Sequence, residues 1–167
     1  MGNYIIIKLK WCEMSRSVTK WWMKGGEGPM TGKFEHNIDA KGRVIVPSTL
    51  REELGEVCYV TLSIDSCLSV YSEKAWDAFR AKVDSLPAAE SRKMRVVFAN
   101  TARCELDVQG RILVPQKLRE FVGISKKVMI IGFSNHAEIW DIDKYNAVEE
   151  AELSLENIAE AWKELGI

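Results

Sequence analysis

The chain holds only four cysteines, none of them in a Cys-x-x-Cys spacing, and its two histidines, His36 and His136, are far apart. Metal-ligand spacing is missing, so no metal or cofactor is expected. Cys58, Cys67 and Cys104 read instead as small buried hydrophobes in a reducing compartment. Long apolar runs are lacking too. Tyr4 to Ile7 is too short for a signal-peptide core, and no stretch approaches the roughly twenty apolar residues of a membrane-spanning helix. The expectation is a cytoplasmic protein with no membrane partner. A glycine-rich phosphate loop and a paired nucleophile and base are also missing. An enzyme would have to use Asp39, Asp107 and His36, and His36 has a ready place in a strand.

Charge of one sign is scarce as well, with a formal net charge of −1 over 167 residues. A strongly basic nucleic-acid binder is excluded at the level of the total, but the distribution is uneven. Residues 1 to 29 carry +3, residues 30 to 137 carry +3 and residues 138 to 167 carry −7. An acidic tail hides a mildly basic core.

What is present is a repeat. Asp39 to Gly55 reads DAKGRVIVPSTLREELG, and Asp107 to Gly123 reads DVQGRILVPQKLREFVG, at a constant offset of 68. Phe34, His36 and Ile38 alternate as a strand, Asp39 to Gly42 carries turn chemistry, and Val44 to Val46 is a β-branched run suited to a strand buried on both faces. The reading is a hairpin. Pro47 then opens a short helix on which Leu50 and Leu54 share a face, with Gly55 positioned for a left-handed C-terminal residue. Each unit of about 45 residues is near the size below which a domain needs help to stay folded, so the two copies are expected to share one core.

The pattern Asp-x-x-Gly-Arg-hydrophobic-x-Val-Pro-x-x-Leu-Arg resembles the SpoVT-AbrB family of swapped-hairpin DNA-binding barrels. Two copies in one chain resemble the MraZ family of bacterial regulators. Met30-Thr31-Gly32, His36 to Arg43, Cys104 to Asp107 and Glu138-Ile139-Trp140 extend the likeness over roughly residues 30 to 148. The resemblance implies a transcriptional regulator of the division and cell-wall gene cluster. It also implies sequence-specific binding to repeated boxes in promoter double-stranded DNA, assembly as a ring-shaped homo-oligomer, and a place on the nucleoid. An antitoxin-like module binding DNA and a toxin is the alternative, although a second full copy here fills the place of a toxin-wrapping tail. Two departures stand out: Arg103 lies where the family tends to have an acid, and Leu62-Ser63 lacks the basic residue and glycine often found there.

The expected architecture is α/β (α+β): tandem β-hairpin-helix units forming an intrachain pseudo-dimeric swapped-hairpin barrel with flanking helices. Its parts are domain 1 over residues 33–76, a helical bridge over 77–103, domain 2 over 104–148 and an acidic C-terminal helix over 149–167. Tyr59 to Leu62 and Cys67 to Tyr71 read as the third and fourth strands, and Val128 to Ile131 and Ala137 to Trp140 repeat them. Ser72 is an N-cap for a helix from Glu73 to Ser85, and a second helix runs from Ala88 to Ala99. Asp141 or Asp143 caps the helix after the last strand. Ala151, Leu155, Ile158, Trp162 and Leu165 recur at helical intervals among glutamates, which reads as an amphipathic helix packed on its own domain or on a neighbour.

For DNA contact the first candidate is Arg43, whose guanidinium follows a glycine turn and can reach phosphates or guanine edges, with Lys41 beside it. The other reading is an Asp39–Arg43 ion pair that only closes the hairpin, worth about 0–1 kcal/mol when exposed. Asp39 and Gly42 are read as structural, the carboxylate accepting backbone N–H groups across the turn and orienting Arg43. Asp107, Gly110 and Arg111 repeat the motif, but Gln109 replaces Lys41, which favours a structural or subunit-contact role. Arg51 is a second-rank DNA candidate, with Arg119 its counterpart; both also read as solvated cations near a helix C-terminus. The cations Arg92, Lys93, Arg95 and Arg103 could track a backbone or simply face solvent.

Residues 1 to 29 are expected to be poorly ordered or a mis-assigned leader, with translation starting at Met30. Trp11, Trp21 and Trp22 crowd there without periodicity, and Lys24 to Gly28 must be encoded by purine-rich codons that can hold a ribosome-binding sequence. The competing reading is a basic arm that orders on DNA.

Overall fold

The computed structural model describes residues 29–166, so the expectations for the leader lie outside the described residues but for Pro29. The first unit contains β1 (Lys33–Asn37), β2 (Arg43–Ile45), α1 (Ser48–Leu54), β3 (Val57–Leu62), β4 (Leu68–Ser72) and α2 (Glu73–Asp84). The bridge holds α3 (Ala88–Ser91), a 3-10 turn (Arg92–Met94) and α4 (Arg95–Ala99). The second unit repeats the plan with β5 (Ala102–Glu105), β6 (Arg111–Leu113), α5 (Gln116–Val122), β7 (Lys127–Phe133), β8 (His136–Asp141) and α6 (Ile142–Glu152), followed by α7 (Leu155–Glu164).

The strands are exchanged between the copies. A six-stranded antiparallel sheet runs β1-β7-β8-β4-β3-β5, and β2 pairs with β6 in a separate ribbon. Reading the order from either end gives the same sequence of equivalent strands, which is the signature of an internal two-fold. The simple hairpin reading therefore holds only at the turn. Ile38 and Val44 form a single bridge, after which β1 goes to β7 and β2 to β6. Backbone bonds knit the ribbon further: the Val46 N–H donates to the Gly110 carbonyl and the Val114 N–H to the Gly42 carbonyl, both at 2.9 Å.

Alternation explains why the ribbon must be shared. Val44, Val46, Ile112 and Val114 point inward and are buried with Val60, Val128, Ile130 and Ile139 in one core. Ile45 and Leu113 point outward and are exposed. The expectation of a strand buried on both faces is thus corrected at Ile45: the ribbon covers the barrel with one face only. Leu50 and Leu54 of α1, and Leu118 and Val122 of α5, plug the same core. Both helices end on glycines with positive φ, but only Gly123 is left-handed helical, whereas Gly55 has φ 74° with extended ψ.

The helix signals mark the flanking elements. Ser72 Oγ accepts the Ala75 N–H at the start of α2, and Asp141 caps α6 by accepting the Asp143 N–H. Trp76 is buried among Tyr59, Tyr71, Phe79 and Phe98, the last reached from α4 at 5.5 Å between ring centroids. The bridge, read as one helix, is broken by the 3-10 turn. The acidic tail is likewise two helices: the chain breaks at Leu153 and restarts at Ser154, whose Oγ accepts the Asn157 N–H. Cys58, Cys67 and Cys104 are free and buried, and burial pushes their thiols up to about 12, 12 and 11. At neutral pH they are protonated and behave as core hydrophobes.

Candidate nucleic-acid interface

Each Asp-x-x-Gly-Arg turn is built around one carboxylate. Asp39 Oδ1 accepts the backbone N–H groups of Lys41 and Arg43, both at 2.9 Å, and Oδ2 accepts Arg43 Nε at 2.7 Å. Asp107 does the same with Gln109, Arg111 and Arg111 Nε at 2.9, 2.9 and 2.7 Å. The N–H of Arg43 holds the Asp39 carboxyl below the usual carboxylate range, aided by its guanidinium. The Arg111 guanidinium, followed by its backbone N–H, brings Asp107 down to about 2. Both stay ionised at any physiological pH, so the arginines are held by a fixed charge. The two expected structural roles have a direct geometric counterpart in these turns.

The glycines supply the second half of the design. Gly42 has φ 86° and Gly110 φ 72°, and both are buried. Over each lies the arginine of the other copy: Arg119 covers Gly42, and Arg51 covers Gly110. Their Nε atoms are anchored in turn, Arg51 on the Val46 carbonyl at 2.7 Å and Arg119 on the Val114 carbonyl at 3.1 Å. Arg51 thus makes specific packing contacts, which the sequence reading of a solvated helix-end cation did not foresee. The signal was present in the repeat, where Gly and Leu-Arg recur together.

A methyl on Gly110 would collide with Arg51 Nη1, and one on Gly42 would lie 2.7 Å from Arg119 Nη2, whereas one on Gly55 meets open space. Alanine at Gly55, where φ 74° with extended ψ lies in a region kept almost to glycine, should cost only that backbone strain, about 1–3 kcal/mol. At Gly42, and more so at Gly110, the arginine must also leave its seat. Urea unfolding should therefore rank the losses Gly110→Ala, Gly42→Ala, Gly55→Ala, and equal losses at all three would refute the packing role of Arg51 and Arg119.

The ribbon brings Arg43 and Arg111 onto one outward face. In register, Arg43 stands opposite Leu113 and Ile45 opposite Arg111. The face is therefore Arg43, Ile45, Arg111 and Leu113, with Lys41 exposed at one turn and Gln109 at the other. The two arginines, read separately from the sequence, are neighbours in the fold. Arg103 is paired with Glu105 on β5, where it faces Tyr59 of β3 in register. His36 is half-buried on β1, where burial and then the Arg51 charge lower its pKa. Among the described residues there is no metal-ligating cluster, and no helix is long and apolar enough to cross a membrane.

A duplicated, strand-exchanged barrel with a symmetric arginine turn in each half defines a tandem swapped-hairpin protein of the β-hairpin-helix class. The family model described as "MraZ protein, putative antitoxin-like" matches residues 30–96 and again 97–164. Three relatives, each named Transcriptional regulator MraZ, come from Acetivibrio thermocellus, Caldicellulosiruptor bescii and Desulforamulus reducens. They are 46%, 43% and 44% identical over 140, 142 and 135 residues. The matches cover 81%, 83% and 77% of this chain and 98%, 99% and 94% of theirs. The chain belongs to the MraZ family of transcriptional regulators. The solution structure of PHS018 from Pyrococcus horikoshii is a distant likeness, 14% identical with a TM-score of 0.29, covering 68% of this chain and 94% of that one. The fold rests instead on the strand pairing above.

Proposed function

We propose that this protein regulates transcription by binding double-stranded DNA through the arginine turns of the β2–β6 ribbon, as a ring of identical subunits that engages repeated promoter boxes. The observation that carries the reading is the carboxylate-braced Arg43. Its ion pair is a third exposed, and such a pair adds at most about 1 kcal/mol to stability. A motif repeated in both halves for that gain alone is poorly explained, whereas an arginine pre-oriented for a phosphate or a guanine edge is well explained. A two-stranded antiparallel ribbon is also narrow enough to enter a major groove.

Lys41 extends the cationic end of copy 1, so the first turn leads and the second, with Gln109, supports. Asp39, Asp107, Gly42 and Gly110 hold the turns, and Arg51 reaches DNA only if it leaves Val46. Multiple subunits on repeated boxes would convert modest single-site affinity into tight binding. The natural targets under this reading are promoters of the division and cell-wall genes, the gene for this protein among them.

The test is a gel-shift titration against the DNA immediately upstream of the protein's own gene, repeated at rising salt. Binding should be retarded at the specific fragment over a scrambled one and weaken steeply with salt, because phosphate neutralisation releases counterions. No preference for the upstream fragment would refute the reading.

A further inference from the structure

The outer face of the β2–β6 ribbon is not purely cationic. Its four outward positions alternate between an arginine and an aliphatic side chain, because Arg43 stands opposite Leu113 and Ile45 opposite Arg111. Ile45 is 42% exposed and Leu113 55%, and the two are equivalent residues of the repeat. Val44 and Ile112, between them on the strands, are turned into the core and buried. The pleat thus leaves two arginines at one pair of diagonal corners and two aliphatic groups at the other.

Stability does not account for the aliphatic pair. Neither side chain belongs to the core, and threonine would suit an exposed strand position as well while turning a hydroxyl toward water. A single exposed aliphatic residue is ordinary. Here the exposure recurs at equivalent places in both copies, inside an arginine face. The neighbouring charges define what covers the pair: β2 and β6 carry no acid, and Lys41 stands exposed at one turn, so the occupant is anionic. A phosphate backbone alone offers nothing apolar. The major groove of a duplex does, since thymine presents its C5-methyl group there while guanine presents the O6 and N7 acceptors that an arginine takes.

We propose that Ile45 and Leu113 are specificity-determining residues that read thymine methyl groups in the major groove, between the two arginine contacts. The inference deepens the DNA reading given above and rests on it. Diagonal neighbours on an antiparallel pair lie about 7–8 Å apart, which is roughly two steps of a duplex at about 3.4 Å each. The internal two-fold that relates the two side chains puts one methyl on each strand.

The test is fluorescence anisotropy with the full chain. It compares the duplex from upstream of the gene with the same duplex in which every thymine is replaced by deoxyuridine, which deletes the methyl groups and keeps every base-pair hydrogen bond. A scrambled duplex, in both forms, gives the background. Wild type should bind the upstream duplex at least about tenfold more weakly without the methyls, since burying one CH2-sized group is worth about fourfold and each ribbon holds two. Ile45→Ser with Leu113→Ser should bind the thymine duplex about as weakly as wild type binds the deoxyuridine one, and should no longer distinguish them. Both side chains are exposed, so its far-UV CD spectrum should be unchanged. Replacing thymines one at a time should concentrate the wild-type loss at pairs of positions about two steps apart. An upstream preference that wild type keeps undiminished on deoxyuridine DNA, or a serine variant that still prefers thymine, would overturn the methyl readout and leave the DNA reading standing. So would a loss spread evenly over all thymines, which marks a change of duplex shape. If wild type binds the upstream duplex no better than the scrambled one, the DNA reading itself fails and the methyl readout with it.

Discussion

Arg43→Ala is expected to remove specific binding to the upstream DNA while leaving the fold and the assembly intact. The side chain takes part in one surface ion pair and none of the core, so its loss should move thermal stability by no more than about 1 kcal/mol. A bidentate arginine contact to a base is worth about 1–3 kcal/mol, roughly tenfold to a hundredfold per engaged turn. That factor compounds over every subunit on the repeated boxes. Asp39→Asn should act in the same direction but more weakly, because it frees the guanidinium without deleting it. Arg111→Ala should stay closer to wild type, since Gln109 leaves the second turn with one cation fewer. The bracing distances of the two turns are the same, so the asymmetry rests on Lys41 and Gln109 alone. Equal losses from Arg43→Ala and Arg111→Ala would show that both turns share the DNA surface.

A chain cut between the family matches, residues 30–96 alone, is expected to form no folded monomer. In the intact protein β1 pairs only with β7 and β2 bonds along its length to β6, while β3 gives its outer edge to β5. All three pairings are lost at once. Val44, Val46, Ile112 and Val114 form the shared inner face of the ribbon. In the fragment Val44 and Val46 lose this cover, at a cost of roughly 3–6 kcal/mol at about 1.5–3 kcal/mol each, a large part of the whole stability of a small domain. The fragment should be unfolded when dilute, and mixing it with residues 97–166 should restore native CD and one cooperative transition. A dilute 30–96 monomer with dispersed amide resonances would show that the copies fold independently.

Much of this protein is readable one residue at a time. The turn at Asp39 to Gly42, the cap at Ser72 and the buried helix face at Leu50 and Leu54 follow from local chemistry that acts over four or five residues. So do the structural assignments of Asp39 and Gly42, because a carboxylate that accepts its own turn's N–H groups needs nothing beyond the turn. The barrel family, by contrast, is legible only through the likeness of the repeated motif, and the cap after the last strand narrows only to Asp141 or Asp143. The partners of the strands and the helices are another matter. The β-branched run Val44 to Val46 predicts a strand but is silent on which strand lies beside it, and only the exchange with β6 leaves Ile45 outside and sets Arg43 beside Arg111. Arg51 looked like a helix-end cation until the fold set Gly110 of the other copy beneath it. The periodicity of the tail predicted an amphipathic helix, but not that its own domain offers it no seat. The strand exchange and the seat of Arg51 depend on contacts 59 or more residues apart in sequence, where the burial of shared apolar faces, rather than local preference, selects the arrangement.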